Sequence, residues 1–178
     1  SAEDLEDFES IDHKERDMRI QKQRIDALKE IHQQYGIEGL LDTAIRSGAS
    51  GIVGSLAADS ILTEKESLAL VNLAFEKIGE DERAANALKW LIQSVFGVMR
   101  GTKKGDTFLR SAVAGREAES KVRLLTLAPF GNATWSLASS YGLDVESLYW
   151  REVAPSWLLD ASADTEEAVD KLMRASRQ

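Results

Sequence analysis

Along most of the chain, apolar residues return every three or four positions, the period of one helix face. No stretch shows the strict alternation that a half-buried strand needs, so the pattern predicts helices throughout. The first spans about residues 12–35 and places Met18, Ile25, Leu28 and Tyr35 on one face, with charged residues elsewhere. Gly36 closes it, because glycine takes the left-handed cap at little cost. Next, "IEGLLDTAIRSG" carries the stripe Leu40, Leu41, Ala44 and Ile45 and stops at Gly48. In "SGIVGSLAADS", Ile52, Val53, Leu56 and Ala57 fall on one side. Gly48, Gly51 and Gly54 there permit close approach of backbones, at about 1 kcal/mol each inside a helix.

Thr63 and Glu66 have the spacing of a capping box, which ties up loose amide donors at a helix start. The helix behind them runs to Ile78, turns Leu68, Val71, Phe75 and Ile78 inward and stops at Gly79. "DERAANALKWLIQSVFGVMRG" is the most apolar segment. Its Ala84, Leu88, Leu91, Ile92, Val95, Phe96 and Met99 cover more than one stripe, which predicts contact with several neighbours. After the loop "GTKKGD", residues 106–128 read as helical with a break at Gly115 and with Val122, Leu125 and Leu127 near the end. Asn132 or Thr134 caps a helix carrying Trp135 and Ala138 that Gly142 stops, and Asp144 caps another with Val145, Leu148 and Tyr149 that Pro155 ends. Asp164 and Glu167 open a last helix with Ala168, Val169, Leu172 and Met173, expected to continue into a further helix beyond Gln178.

The expected fold is all-α: about eight or nine helices whose short connections make antiparallel hairpins, stacked as a short solenoid-like or bundle array. Residues 1–11 read as an acidic, frayed N-terminus and 12–178 as one helical domain, a piece of a longer chain. "QQYGIE" (33–38) and "SSYGLD" (139–144) echo each other as helix ends, with Ile37 or Leu143 placed to fold back on its helix. A structural repeat and convergence on one stop signal both explain the echo.

Composition narrows the function. With 43% hydrophobic and 29% charged residues the chain is of globular type, and no apolar run approaches a membrane span. The acidic start "SAEDLEDFES" is unlike a secretory signal. The absence of cysteine excludes disulfides, thiol catalysis and zinc–thiolate sites and suits the cytoplasm. A net charge of −8 argues against general nucleic-acid binding.

Candidate chemistry is thin. His13 and His32, the only histidines, are too far apart on one helix to share a metal, so both read as exposed side chains, and no Ser–His–Asp triad forms around them. The pairs Asp81/Glu82, Glu117/Glu119 and Glu166/Glu167 each fit a helix N-terminus, where anions are favoured. "GTKKGDT" (101–107) fails as a phosphate loop, since Asp106 stands where the lysine belongs. No catalytic, cofactor-binding or metal-binding residue is therefore assigned. Residues 100–123 still hold seven basic residues, Arg100, Lys103, Lys104, Arg110, Arg116, Lys121 and Arg123, against three acidic ones. That basic patch, chiefly Arg100, Lys103, Lys104 and Arg110, reads as a solvated loop or as a surface for phosphate or an acidic partner. Asn132-Ala-Thr134 matches a glycosylation sequon but is more simply a helix cap.

Phe130, Trp135, Tyr141, Tyr149, Trp150 and Trp157 are six of the twelve aromatic residues, gathered at one helix junction. They read as large core residues or as a partner surface at Tyr149, Trp150 and Trp157. Tyr149 and Trp150 point about 100° apart on a helix, so one is expected in the hairpin core and the other toward a neighbour.

"TWSLASSYGLDVESLYWREV" (134–153) resembles a helical-repeat pattern of large, mostly uncharacterised bacterial proteins of the predicted-ATPase type. Trp135, Leu137, Gly142, Glu146, Tyr149 and Trp150 carry the match; "TEEAVDKLMRASRQ" and "YGIEGLLDTA" (35–44) suit the same arrays. The pattern departs from tetratricopeptide repeats, because Ala138, Ser139 and Gly142 occupy the positions that motif gives to Leu, Gly and Tyr. The resemblance implies a solenoid-like region of a bacterial, cytoplasmic protein, with any ATPase part outside this chain. The expected function is a non-catalytic scaffold that meets another protein or the rest of its own longer chain. The alternative is a phosphate- or nucleic-acid-binding module using the basic 100–123 region.

Overall fold

A computed structural model describes the backbone of residues 2–102, 104–128 and 132–159 and the side chains of 15–102, 104–128 and 134–153. Among the described residues there are eight helices and no strand: α1 (Ala2–Ser47), α2 (Ser50–Ser60), α3 (Glu64–Ile78), α4 (Ala85–Arg100), α5 (Gly105–Val113), α6 (Ala118–Leu125), α7 (Asn132–Ser140) and α8 (Leu143–Leu159). The all-α expectation holds. The helix expected after Asp164 lies outside the described residues.

α4 is the hub. All seven of its expected inward residues, from Ala84 to Met99, are buried. Their wide face meets α1, α2, α3 and α5. Leu40, Leu41 and Ala44 of α1, Val53, Leu56 and Ala57 of α2, and Leu70, Val71, Ala74 and Phe75 of α3 complete this core. α6, α7 and α8 pack on one another, and α5 joins the two groups by touching α3, α4, α6 and α7.

The α2–α4 crossing depends on a missing side chain. A Cβ on Gly54 would lie 2.7 Å from the Leu91 carbonyl oxygen and 3.1 Å from the Ser94 Cβ, and one on Gly51 would lie 3.2 Å from the Ser94 Oγ. Those two glycines bring the backbones together as expected, whereas a Cβ on Gly48 would meet nothing. The close approach also sets the rotation of α2. Gly54 turns inward and Ile52 is exposed, which corrects the expectation that Ile52 packs.

α1 departs from its expected form in two ways. It is helical from Ala2, and it resumes directly after Gly36, whose φ of 65° and ψ of −157° fall in a region open essentially to glycine alone. Of its expected stripe, Leu28 is buried and Ile25 half-buried, while Met18 and Tyr35 are exposed. Gly142 ends α7 with a φ of 102°, so both halves of the sequence echo are glycine breaks. Only Ile37 packs behind its break; Leu143 is 61% exposed. α3 stops at Ile78 as expected, although Gly79 stays right-handed with a φ of −78°. α8 runs through Pro155 to Leu159 rather than ending there, so one rung of its hydrogen-bond ladder lacks a donor.

The capping box forms. The Thr63 N–H donates to Glu66 Oε2 at 2.8 Å, and the Glu66 N–H donates to Thr63 Oγ1 at 3.2 Å. The hydrogen bonds from the Thr63 backbone and hydroxyl hold the Glu66 carboxyl below its ordinary value, and His32 adds a smaller pull in the same direction.

Gly54→Ala is expected to destabilise by about 1–3 kcal/mol, since overpacking against a backbone carbonyl outweighs the gain in helix propensity. Gly97→Ala, in the same crossing helix but facing open space, is expected to stabilise by about 0.5–1 kcal/mol. Urea unfolding checks both, and equal signs would contradict the described α2–α4 contact. A carboxyl whose folded-state pKa is depressed adds stability above its ordinary 4.5 and loses it as pH falls through the folded value. Glu66→Gln should therefore melt below wild type at about pH 7 and converge with it as pH falls through the depressed folded-state value. A deficit that persists in acid would show that the charge is not what matters.

Candidate functional site

The aromatic junction is an internal seam. The Trp135 indole N–H donates to Glu146 Oε1 at 3.1 Å, tying α7 to α8 across Gly142. The Trp135 and Trp150 rings lie 6.3 Å apart, and Tyr149 meets Trp150 edge-on at 5.4 Å. Tyr149 is 2% and Trp150 4% exposed. Both lie inside because α8 packs against α6 as well as α7, so the two directions about 100° apart each meet a neighbour. This corrects the expectation that Tyr149 and Trp150 offer a partner surface. Burial also pushes the Tyr149 phenol far above its ordinary value. The Trp157 side chain lies outside the described residues.

The basic region is dispersed and largely engaged. Lys104 Nζ pairs with Glu64 Oε2 at 3.0 Å, anchoring the α4–α5 loop on the first turn of α3. Arg116 donates to the Ala112 carbonyl and to Asn72 Oδ1, at 2.8 Å and 2.7 Å, and lies 4.7 Å from the Phe75 ring centre. Arg123 sits 5.4 Å from the same ring centre. Lys121 donates to the Arg116 carbonyl and lies 4.9 Å from the Tyr141 ring centre. These contacts join α5 and α6 to α3. Arg100 and Arg110 are exposed, and Lys103 lies outside the described residues.

The titratable candidates resolve into local structure. His32 is half-buried with Nε2 3.4 Å from Glu66 Oε1, which corrects its expected exposure; the His13 side chain lies outside the described residues. Asp81 accepts from the Arg83 and Ala84 N–H groups at 3.0 Å and 3.3 Å, closing the turn before α4. Glu117 and Glu119 are exposed at the start of α6, and Glu166/Glu167 lie outside the described residues. Among the described residues no group of three or more His, Asp or Glu is placed to hold a metal ion.

The structure adds a site that the motif search missed. A groove of about 480 Å³ runs between the part of α1 after Gly36 and the end of α3. Leu41, Ile45 and Leu73 line it together with Glu38 and Asp42 on one wall and Glu76, Lys77 and Glu80 on the other. Each wall carries two carboxylates: Glu38 and Asp42 stand four residues apart on α1, about 6 Å along the helix, while Glu76 lies in the last turn of α3 and Glu80 in the turn that follows it. On α1 that like-charge pair destabilises the helix by about a few tenths of a kcal/mol. Arg46 relieves only one of the four, Asp42, at 3.4 Å. The one visible signal was this repetition, Glu38/Asp42 and Glu76/Glu80; their meeting across a groove depends on how α1 docks on α3.

The second candidate surface is a stretch of α1 that is exposed among the described residues. Every residue from Glu15 to Arg24 of α1 is exposed, including Met18 at 65%. The segment carries Arg16, Arg19, Lys22 and Arg24 against Glu15 and Asp17.

Trp150→Ala tests the seam. Removing a buried indole is expected to cost about 3–5 kcal/mol, whereas loss of a surface tryptophan would fall within about 0.5 kcal/mol. Urea unfolding of the variant separates the two.

Among the described residues no helix is long and apolar enough to cross a membrane. Comparison with protein-family models, with curated proteins and with solved structures finds no match to this chain.

Proposed function

We propose that the chain is a non-catalytic helical scaffold, a protein–protein interaction segment of a larger bacterial protein, working as a binding surface or spacer beside domains that carry any catalysis. One observation carries this reading. α1 is docked at Leu28 and His32, yet its residues 15–24 touch no other part of the described structure closely enough to be covered. An isolated helical stretch of that length is marginal in water, since most helical stability in proteins comes from packing. A segment kept helical and uncovered is suited to meeting another protein. The acidic groove, with its apolar floor, is the second surface of that kind. The aromatic seam supports the same reading from inside, because its large rings serve packing.

The alternative, a phosphate- or nucleic-acid-binding module on the basic 100–123 region, has less behind it. Lys104 is neutralised by Glu64, and Arg116 is held by Asn72 and Ala112. Among the described residues Arg100, Arg110, the Glu64-paired Lys104 and Arg123 are exposed, few for a phosphate track whose affinity scales with the number of charges neutralised.

The test is site-specific photo-crosslinking of the full chain expressed in bacteria. A photoreactive residue at Met18 is expected to give protein adducts, and the same residue at exposed Glu82 is expected to give few. Equal yields at the two positions would remove the interaction reading. Salt-sensitive binding of RNA or DNA that Arg100→Glu/Arg110→Glu abolishes would favour the alternative.

A further inference from the structure

We propose that the acidic groove between α1 and α3 receives the basic segment 15–24 of α1 from a second copy of the chain. This rests on the reading of the chain as an interaction scaffold and names the partner. The groove specifies its occupant. Its floor of Leu41, Ile45 and Leu73 calls for an apolar side chain, and Glu38, Asp42, Glu76 and Glu80 call for cations one helical turn to either side of it. α1 supplies that pattern. Ile20 is exposed and is flanked at four residues on each side by Arg16 and Arg24, which therefore share its face. Arg19 and Lys22 extend the positive charge around the helix.

The charges are complementary: four carboxylates against one lysine in the groove, four cations against two carboxylates in the segment. Among the described residues no other run of ten is exposed on every side. The segment does not occupy its own chain's groove, because it is exposed there. Seated in a neighbour's groove, it offsets the carboxylates gathered on both walls and covers Ile20 and the groove floor together. Reciprocal exchange about a two-fold axis closes the assembly and doubles the buried area, toward the roughly 1,200 Å² at which specific interfaces begin.

Sedimentation equilibrium of the full chain tests this, with charge reversal and complementation. Wild type is expected to form a dimer that weakens as salt rises. Glu76→Arg/Glu80→Arg and Arg16→Glu/Arg24→Glu should each weaken self-association about tenfold or more. Mixing the two variants should restore a dimer, because the reversed segment matches the reversed groove while the other contact stays native. All four positions are exposed, and circular dichroism with thermal melts confirms that each variant folds. A wild type that stays monomeric overturns the proposal, as does a dimer indifferent to both reversals or one that mixing does not restore. A monomer that still crosslinks to another protein through position 18 overturns this pairing and leaves the scaffold reading standing.

Discussion

The apolar face of α4 is wider than any single neighbour can cover, and the packing of the first five helices answers that constraint. Seven buried residues, from Ala84 to Met99, spread over the face. α1, α2, α3 and α5 each take part of it. At roughly 1.5–3 kcal/mol for each large aliphatic or aromatic side chain removed from water, this face is among the largest single sources of stability in the described structure. It also fixes where glycine is needed. α2 can lie against α4 only where no Cβ intervenes, and Gly54 meets the Leu91 carbonyl at that point. The position of α2 then decides which of its own residues face outward, Ile52 among them.

This chain of dependence explains what was legible in the sequence. The inward residues of α4 could be read directly because hydrophobic periodicity alone fixes a wide apolar face. The capping box was legible because it is a local hydrogen-bond pattern between residues three apart, and the breaks at Gly36 and Gly142 because a positive φ is local too. The facing of α2 was not legible, since backbone contact with α4 sets its rotation and hydrophobicity alone favours Ile52 over Gly54. For Tyr149 and Trp150 the two directions could be read, one into the hairpin and one toward a neighbour, but not the neighbour itself, because α6 lies some twenty residues earlier in the chain. The groove was illegible for the same reason. Its two acidic walls belong to helices whose juxtaposition is tertiary, and each wall alone looks like an ordinary charged helix face.

Two sets of the described cations contrast. Lys104, Arg116, Lys121 and Arg123 tie α5, α6 and the preceding loop to α3 and to the aromatic rings Phe75 and Tyr141. Those of α1 between Arg16 and Arg24 tie nothing to the described core, and residues 15–24 around them are all exposed. In an acidic chain of net charge −8, an uncovered basic segment and an apolar groove lined with carboxylates are opposite local departures from the average. Their complementarity makes them a pair.

The first turn of α3 links the core to that outer segment. Three interactions converge on it. The Thr63–Glu66 box caps the helix, Glu66 lies 3.4 Å from His32 of α1, and Glu64 holds Lys104 of the α4–α5 loop. Two carboxylates at a helix N-terminus are also favoured by the helix dipole, so the turn is stable in its own right before it binds its neighbours. His32 lies eight residues beyond Arg24, about 12 Å along the helix, and Leu28 is buried between them. The direction in which residues 15–24 leave the core is therefore set at Leu28 and His32, by burial at one and the contact with Glu66 at the other. A segment that binds a partner through side chains spaced one turn apart gains from such a fixed exit, because the orientation is settled before the partner arrives and less entropy is lost on docking. The cap of α3 thus helps fix the direction of residues 15–24 without touching them.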